Sequence, residues 1–258
     1  MIEEARRYDI VVHQVSQGSG VMLQTDAEIR EMVQLGHDAR MEVSLFTGPR
    51  GTWDISAGPL TSSGKTARHE GIEQLVYALE DIRRGVALGL RSFLVVDEGL
   101  IYLVDQMKRT GELPADLVVK VSVQLGAANP VSVRWMQQLG AGTYNVPTAL
   151  TLARLASIRA AVEIPLDIYV EVPDDFGGFV RHYEIPELIR ICAPVYIKFG
   201  LRNHPGLYPS GAHLEELVVK LSRERVRRAC LGMEMIRRYC PEAVMSAPGA
   251  AGLAVPVP

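Results

Sequence analysis

Val118-Val119-Lys120-Val121-Ser122-Val123-Gln124 is the stretch whose reading decides the fold. Side chains alternate across a strand, so Lys120, Ser122 and Gln124 share one face while valines fill the other. In a closed parallel barrel the outer face meets helices and must be apolar, which turns the polar set inward. A buried charge costs several kcal/mol unless it is paired, so a chain that repeats this on several strands is expected to be building a site.

Working outward, the pattern recurs. Strands are expected over 9–15, 40–46, 92–97, 116–123, 142–146, 166–172 and 195–200. Helical periodicity follows each, over 26–35, 70–88, 99–109, 130–139, 149–162, 185–192 and 213–239. Gly36, Gly89, Gly111 and Gly140 fall where helices should stop. Strands alternating with helices imply right-handed crossovers and a parallel sheet. The expected fold class is therefore α/β, a TIM-type (β/α) barrel with seven strand–helix units that lacks or borrows its first strand. An open doubly wound sheet is the structural competitor. No linker divides the chain, so residues 1–245 read as one domain and residues 246–258 as a loose tail. The chain opens almost directly on its first strand, and an exposed parallel edge there calls for a cover, such as a partner chain in a homo- or hetero-oligomer.

Bulk properties narrow the partners. The 258 residues are 48% hydrophobic with a net charge of −3, which gives no electrostatic reason to expect nucleic acid. No apolar run approaches the ~18 residues that cross a bilayer, and the first residues lack the apolar core of a signal peptide. Three cysteines, Cys192, Cys230 and Cys240, have no CxxC spacing and suggest a reducing cytoplasm. The expected partner is a small molecule.

Parallel α/β folds place their sites at the carboxyl ends of the strands. Glu42, Lys120, Glu171 and Lys198 are the candidate catalytic set, because facing carboxylates and ammonium groups can hold a carbonyl or carboxylate. A desolvated lysine can also become a nucleophile or base. Asp97, Ser122, Gln124, Asn145 and Arg202 are candidates for substrate binding, and Arg50 for clamping an anion. On this reading Lys120→Met abolishes ligand binding and leaves the fold intact. The competing reading of these charges is a structural ion-pair layer. The connection over 51–69, with Trp53, Asp54, Ser62, Ser63, Lys65 and Thr66, is long enough to serve as a lid. Gly64-Lys65-Thr66 is not a phosphate loop, since Pro59 stands where that motif needs glycine. Glu42, Asp97, Glu171, Asp174, Asp175 and His182 offer hard ligands that leave a divalent metal open, without a metal-binding spacing. His13, His37 and His69 read as surface or packing residues.

The segment from Ser92 to Tyr208 resembles the collagenase-like peptidase family U-32. Leu94-Val95-Val96-Asp97-Glu98-Gly99 is similar to that family's strand ending in Asp-x-Gly. Lys120-Val121-Ser122-Val123-Gln124 with Asn129, Ser132 and Leu139-Gly140 is similar to its Ser-x-Gln strand and following helix. Tyr144-Asn145-Val146-Pro147-Thr148-Ala149-Leu150-Thr151-Leu152 stands where members often read Arg-Glu-Leu-Ser-Leu. Val195-Tyr196-Ile197-Lys198-Phe199-Gly200-Leu201-Arg202 stands where they have Lys-Ile-Glu-Gly-Arg. The resemblance implies a barrel-type fold, makes the absent element the family's first strand, puts Lys198 and Arg202 at a strand end, and suggests hydrolysis. Some relatives use four cysteines for an iron–sulfur cluster. Tyr169-Val170-Glu171-Val172-Pro173-Asp174-Asp175 occupies the place of that signature without a cysteine, so no such cluster is expected.

Three functions follow as expectations. The first is a barrel enzyme for a small anionic or carbonyl-bearing substrate, hydrolytic as the family name suggests. The second is a lyase or aldolase working through a lysine Schiff base or a metal. The third is a non-catalytic subunit docked on a partner.

Overall fold

In the computed structural model, which describes residues 1–49 and 67–258, seven strands alternate with helices along the chain. The strands are β1 (Gln14–Gln17), β2 (Glu42–Phe46), β3 (Ser92–Val95), β4 (Val118–Val121), β5 (Thr143–Asn145), β6 (Leu166–Glu171) and β7 (Val195–Phe199). They form one parallel sheet in strict sequence order. The helices are α1 (Ile2–Arg7), α2 (Asp26–Asp38), α3 (Gly71–Ala87), α4 (Glu98–Thr110), α5 (Pro130–Gln138), α6 (Leu152–Arg159), α7 (Ile185–Cys192) and α8 (Glu215–Tyr239). No described helix is long and apolar enough to cross a membrane. Of the expected lid over 51–69, residues 51–66, with Trp53, Asp54, Ser62, Ser63, Lys65 and Thr66, lie outside the described residues, as does Arg50 at its base.

The sheet curls toward a barrel. Gln14 on β1 donates through Nε2 to Asp167 on β6 at 2.7 Å. In a flat sheet those strands would stand roughly 24 Å apart, five steps of about 4.8 Å. Closure stops one strand short, because β1 and β7 do not pair with each other. The burial pattern records the gap. Every residue of β2, β3 and β5 is buried, whereas every residue of β1 and β7 is only half-buried. This is the TIM-type arrangement with seven units that the alternation predicts.

The two faces of each strand do different work. Leu45, Phe93, Val119, Val121, Leu166 and Ile168 point outward and pack with the helices in the main apolar core. Phe46, Ala67, Leu94 and Val96 form a separate apolar cluster. Helix starts are fixed by side-chain caps. Thr25 and Glu28 form a reciprocal box ahead of α2, and Asn129 accepts from Ser132 N at 2.9 Å ahead of α5.

Three expectations need correction. The chain opens on α1 rather than on a strand, and β1 begins at Gln14, five residues later than its pattern suggests. Gly36 does not end α2 but sits inside it, where a Cβ would lie 2.5 Å from Val43 Cγ2; glycine there lets helix and strand close up. The tail is not loose. Ala254 and Pro256 are buried, Val257 N donates to Gly89 O at 2.9 Å, and His37 Nδ1 lies 3.0 Å from Pro256 O.

Candidate functional site

The inward charges separate into two groups, one at each end of the strands. At the amino end stand Gln14, Glu42, Ser92 and Thr143, each the first residue of its strand. Lys120 reaches into this layer. Its Nζ donates to Asp167 Oδ1 and Oδ2 at 2.9 and 3.0 Å and to Thr143 Oγ1 at 3.0 Å. Glu42 Oε1 lies 3.9 Å away and accepts from Ser92 Oγ at 3.0 Å. The Tyr196 ring centre lies 5.0 Å from Nζ. Burial would push the Asp167 carboxyl up, but the Lys120 and Lys198 charges, with hydrogen bonds from Lys120 and Gln14, hold it below the ordinary carboxylate value. Lys120, Glu42 and Asp167 have no accessible surface. From below, the tail seals the layer, with Ala254 N donating to Glu42 Oε2 at 3.3 Å.

The carboxyl end holds a different lysine. Lys198 is the fourth residue of β7, and its Nζ donates to Asn145 Oδ1 at 2.5 Å. Asn145, the last residue of β5, is oriented by its own donation to Val121 O at 2.6 Å. The Tyr169 ring centre lies 4.7 Å from Lys198 Nζ. Among the described residues no carboxylate comes within 4 Å of this ammonium. Burial lowers its pKa, only partly opposed by the negative charges of Asp167 and Glu42. The Tyr169 hydroxyl is pushed up to about 12 by burial.

Lys198 lines a cavity of about 810 Å³ that runs along the gap between β1 and β7, where an eighth strand would stand. Ser16, Gln17, Tyr169, Tyr208 and Arg225 share that lining. The loop after β7 crosses the gap at the carboxyl end. Ser19 Oγ lies 2.8 Å from Ser210 Oγ, and Tyr208 packs so closely on Gly18 that a Cβ there would fall 2.8 Å from the ring.

The remaining expected site residues are committed elsewhere. Glu171 does not face Lys120 or Glu42, because a bulge between Tyr169 and Glu171 sets it opposite Phe199, on the helix side. There it lies 3.2 Å from Arg228 Nε and 3.6 Å from His182 Nε2, and accepts from Arg202 N at 3.3 Å. Asp97 caps α4, accepting from Leu100 N at 3.0 Å and His69 N at 3.2 Å. Ser122 caps a short turn through Gln124 N at 3.3 Å, and Gln124 Oε1 is buried without a hydrogen bond. Arg202 is already clamped on Asp174, at 3.1 and 2.9 Å. His69 is a packing residue as expected, its ring buried and neither nitrogen hydrogen-bonded. Among the described residues no group of three or more His, Cys, Asp or Glu is placed to hold a metal. Of the hard ligands read from the sequence, Glu171 and His182 stand together at 3.6 Å. Asp167 and Arg225 escaped the sequence reading. Asp167 was signalled by the alternation Leu166-Asp167-Ile168-Tyr169, while Arg225 carried no signal at all.

These features define a class: a parallel (β/α) sheet curled one strand short of a barrel, with a half-buried lysine facing the open seam at the carboxyl end. No family model and no curated protein matches the sequence. Among solved structures, the chain is similar to a U32 peptidase at 19% identity with a TM-score of 0.43, over 64% of this chain and 62% of that one. It thus spans less than two thirds of that relative's length. It is also similar to the YdjI aldolase from Escherichia coli K12, at 14% identity and TM-score 0.42, over 93% of this chain and 94% of that one. A third likeness is to nitroalkane oxidase from Streptomyces ansochromogenes, at 14% identity and TM-score 0.39, over 70% of this chain and 56% of that one. The fold assignment rests on the strand order itself.

Proposed function

We propose that this chain is a barrel enzyme that binds a small carbonyl-bearing substrate in the seam cavity and reacts with it through the Lys198 amine. The observation that carries this reading is the environment of that amine: desolvated, facing a cavity, and held by a carboxamide rather than a carboxylate. A carboxylate partner would stabilise the ammonium, whereas Asn145 orients the nitrogen without doing so to the same extent.

In the proposed step the unprotonated amine attacks the carbonyl carbon, and the carbonyl π electrons move to oxygen. The two amine protons leave with that oxygen as water, giving an imine. An imine draws electrons from a neighbouring bond, which is what a lyase or aldolase needs. The hydrolytic alternative finds less support, since among the described residues no serine or cysteine side chain is hydrogen-bonded to a histidine. Lys120 and Glu42 we assign to the frame of the sheet, because their layer is sealed and lies at the end where such folds keep structural residues.

Borohydride reduction in the presence of pyruvate tests the reaction. The expected result is a covalent adduct on the peptide that contains Lys198. An unmodified Lys198 peptide across a panel of aldehydes and ketones would remove the amine from the chemistry.

A further inference from the structure

The seam cavity has a charge pattern that the sequence as a whole does not. The chain carries 30 acidic residues and a net charge of −3, yet among the described residues none that lines the cavity is Asp or Glu. Two cations line it, Lys198 and Arg225. The two histidines in the wall are turned to backbone, His13 Nε2 lying 2.7 Å from Ser246 O and His204 Nδ1 2.7 Å from Pro205 O.

Arg225, like the exposed Arg223, stands apart from the paired arginines around it among the described residues. Arg228, three residues on, lies against Glu171 and Glu224, Arg227 against Glu224, and Arg202 against Asp174. The half-buried Arg225 guanidinium has no ion pair or hydrogen bond among the described residues. Tyr169 and Tyr208 line the same cavity as the two cations, with the Tyr169 ring centre 4.7 Å from Lys198 Nζ. A guanidinium left unpaired beside a carboxylate-free cavity presents a planar fork of donors that matches a carboxylate.

We infer that the cavity selects 2-oxo carboxylates, with Arg225 from α8 anchoring the carboxylate while Lys198 from β7 meets the adjacent carbonyl carbon. This rests on the role given to Lys198 above and adds the substrate class. Once the carboxylate is held, the amine and the carbonyl are brought into reaction distance without a further diffusional encounter. The Tyr169 hydroxyl, kept protonated by burial, remains available as a donor to the oxygen that leaves.

The test compares borohydride labelling of Lys198 by pyruvate and by its neutral methyl ester, in the native chain and in Arg225→Gln and Arg225→Lys. The native chain should label at concentrations of pyruvate about tenfold to a hundredfold below those of the ester. Arg225→Gln should bring that ratio close to one, and Arg225→Lys should keep part of it. Equal labelling by acid and ester in the native chain would overturn the proposal, as would a ratio untouched by Arg225→Gln. Calorimetry with oxamate, an unreactive carboxylate of the same shape, separates the two layers of the argument. Oxamate binding that Arg225→Gln weakens, in a chain that never labels, supports the anchor and removes the Lys198 chemistry. No oxamate binding removes the anchor.

Discussion

Replacing Lys120 with methionine is expected to destabilise the fold by about 3–5 kcal/mol, read as a lower urea midpoint with an unchanged slope. The side chain fits the space, so the loss is electrostatic. Asp167 would lose both of its bonds from Nζ, and Glu42, at 3.9 Å, its nearby positive charge. Two carboxylates would then face each other at the centre of the sheet without an ammonium between them. Combining Lys120→Met with Asp167→Asn should recover part of the loss, because one of the two uncompensated charges is gone and only Glu42 remains. A change below about 1 kcal/mol in the single variant would mean that the layer does not hold the strands together. This reverses the expectation drawn from the strand pattern, in which Lys120→Met spares the fold and removes ligand binding.

The same substitution at Lys198 should do the opposite. Lys198→Met is expected to lose all labelling by carbonyl compounds while stability stays level or rises by up to about 1 kcal/mol. The sign follows from linkage. A lysine whose folded pKa lies below its unfolded value binds fewer protons when folded, so stability rises with pH between the two values. Below that window the buried ammonium is a net cost, and a neutral thioether removes it. Lys198→Met falling as far as Lys120→Met would show that both lysines are structural. Retained labelling in Lys198→Met would move the reacting amine elsewhere. The pair of variants thus divides two inward lysines that the sequence presents as alike.

That division shows what the sequence could carry. Alternation of valine with Lys120, Ser122 and Gln124 was enough to find β4 and its inward face, and repetition of the pattern was enough to find the other strands. Strand ends were less legible, because β1 starts where β2 begins to pair with it, and pairing is a property of the neighbour. Helix α1 is only six residues long, too short for an amphipathic period to register. Glu171 was misplaced because a period of two cannot anticipate a bulge, and one extra residue turns a side chain to the opposite face. The tail looked unstructured since its contacts are backbone bonds to Glu42 and Gly89, which leave no trace in side-chain periodicity.

The site was legible in type and only partly in place. Lys198 and Asn145 could each be named from the sequence, and the structure brings them into hydrogen-bond contact. Depth along the barrel axis could not be read, so Lys120 and Lys198 seemed members of one set. Register resolves it: Lys120 pairs with Thr143, the first residue of β5, whereas Lys198 pairs with Tyr169 near the far end of β6. Arg225 sits among Arg223, Glu224, Arg227 and Arg228, a run that reads as an ordinary solvated helix face. Only the topology, which lays α8 beside the seam, sets its guanidinium over the cavity.

The most direct measurement is the titration of Lys198 itself, followed by trace acetylation from about pH 7 to about pH 11 and peptide mass spectrometry, with the exposed Lys220 as an internal reference. The Lys198 amine is expected to reach half-reactivity below the ordinary lysine value of about 10.4. Half-reactivity at or above that value would mean the ammonium is stabilised in place, and a lysine so held would have no neutral amine to offer a carbonyl.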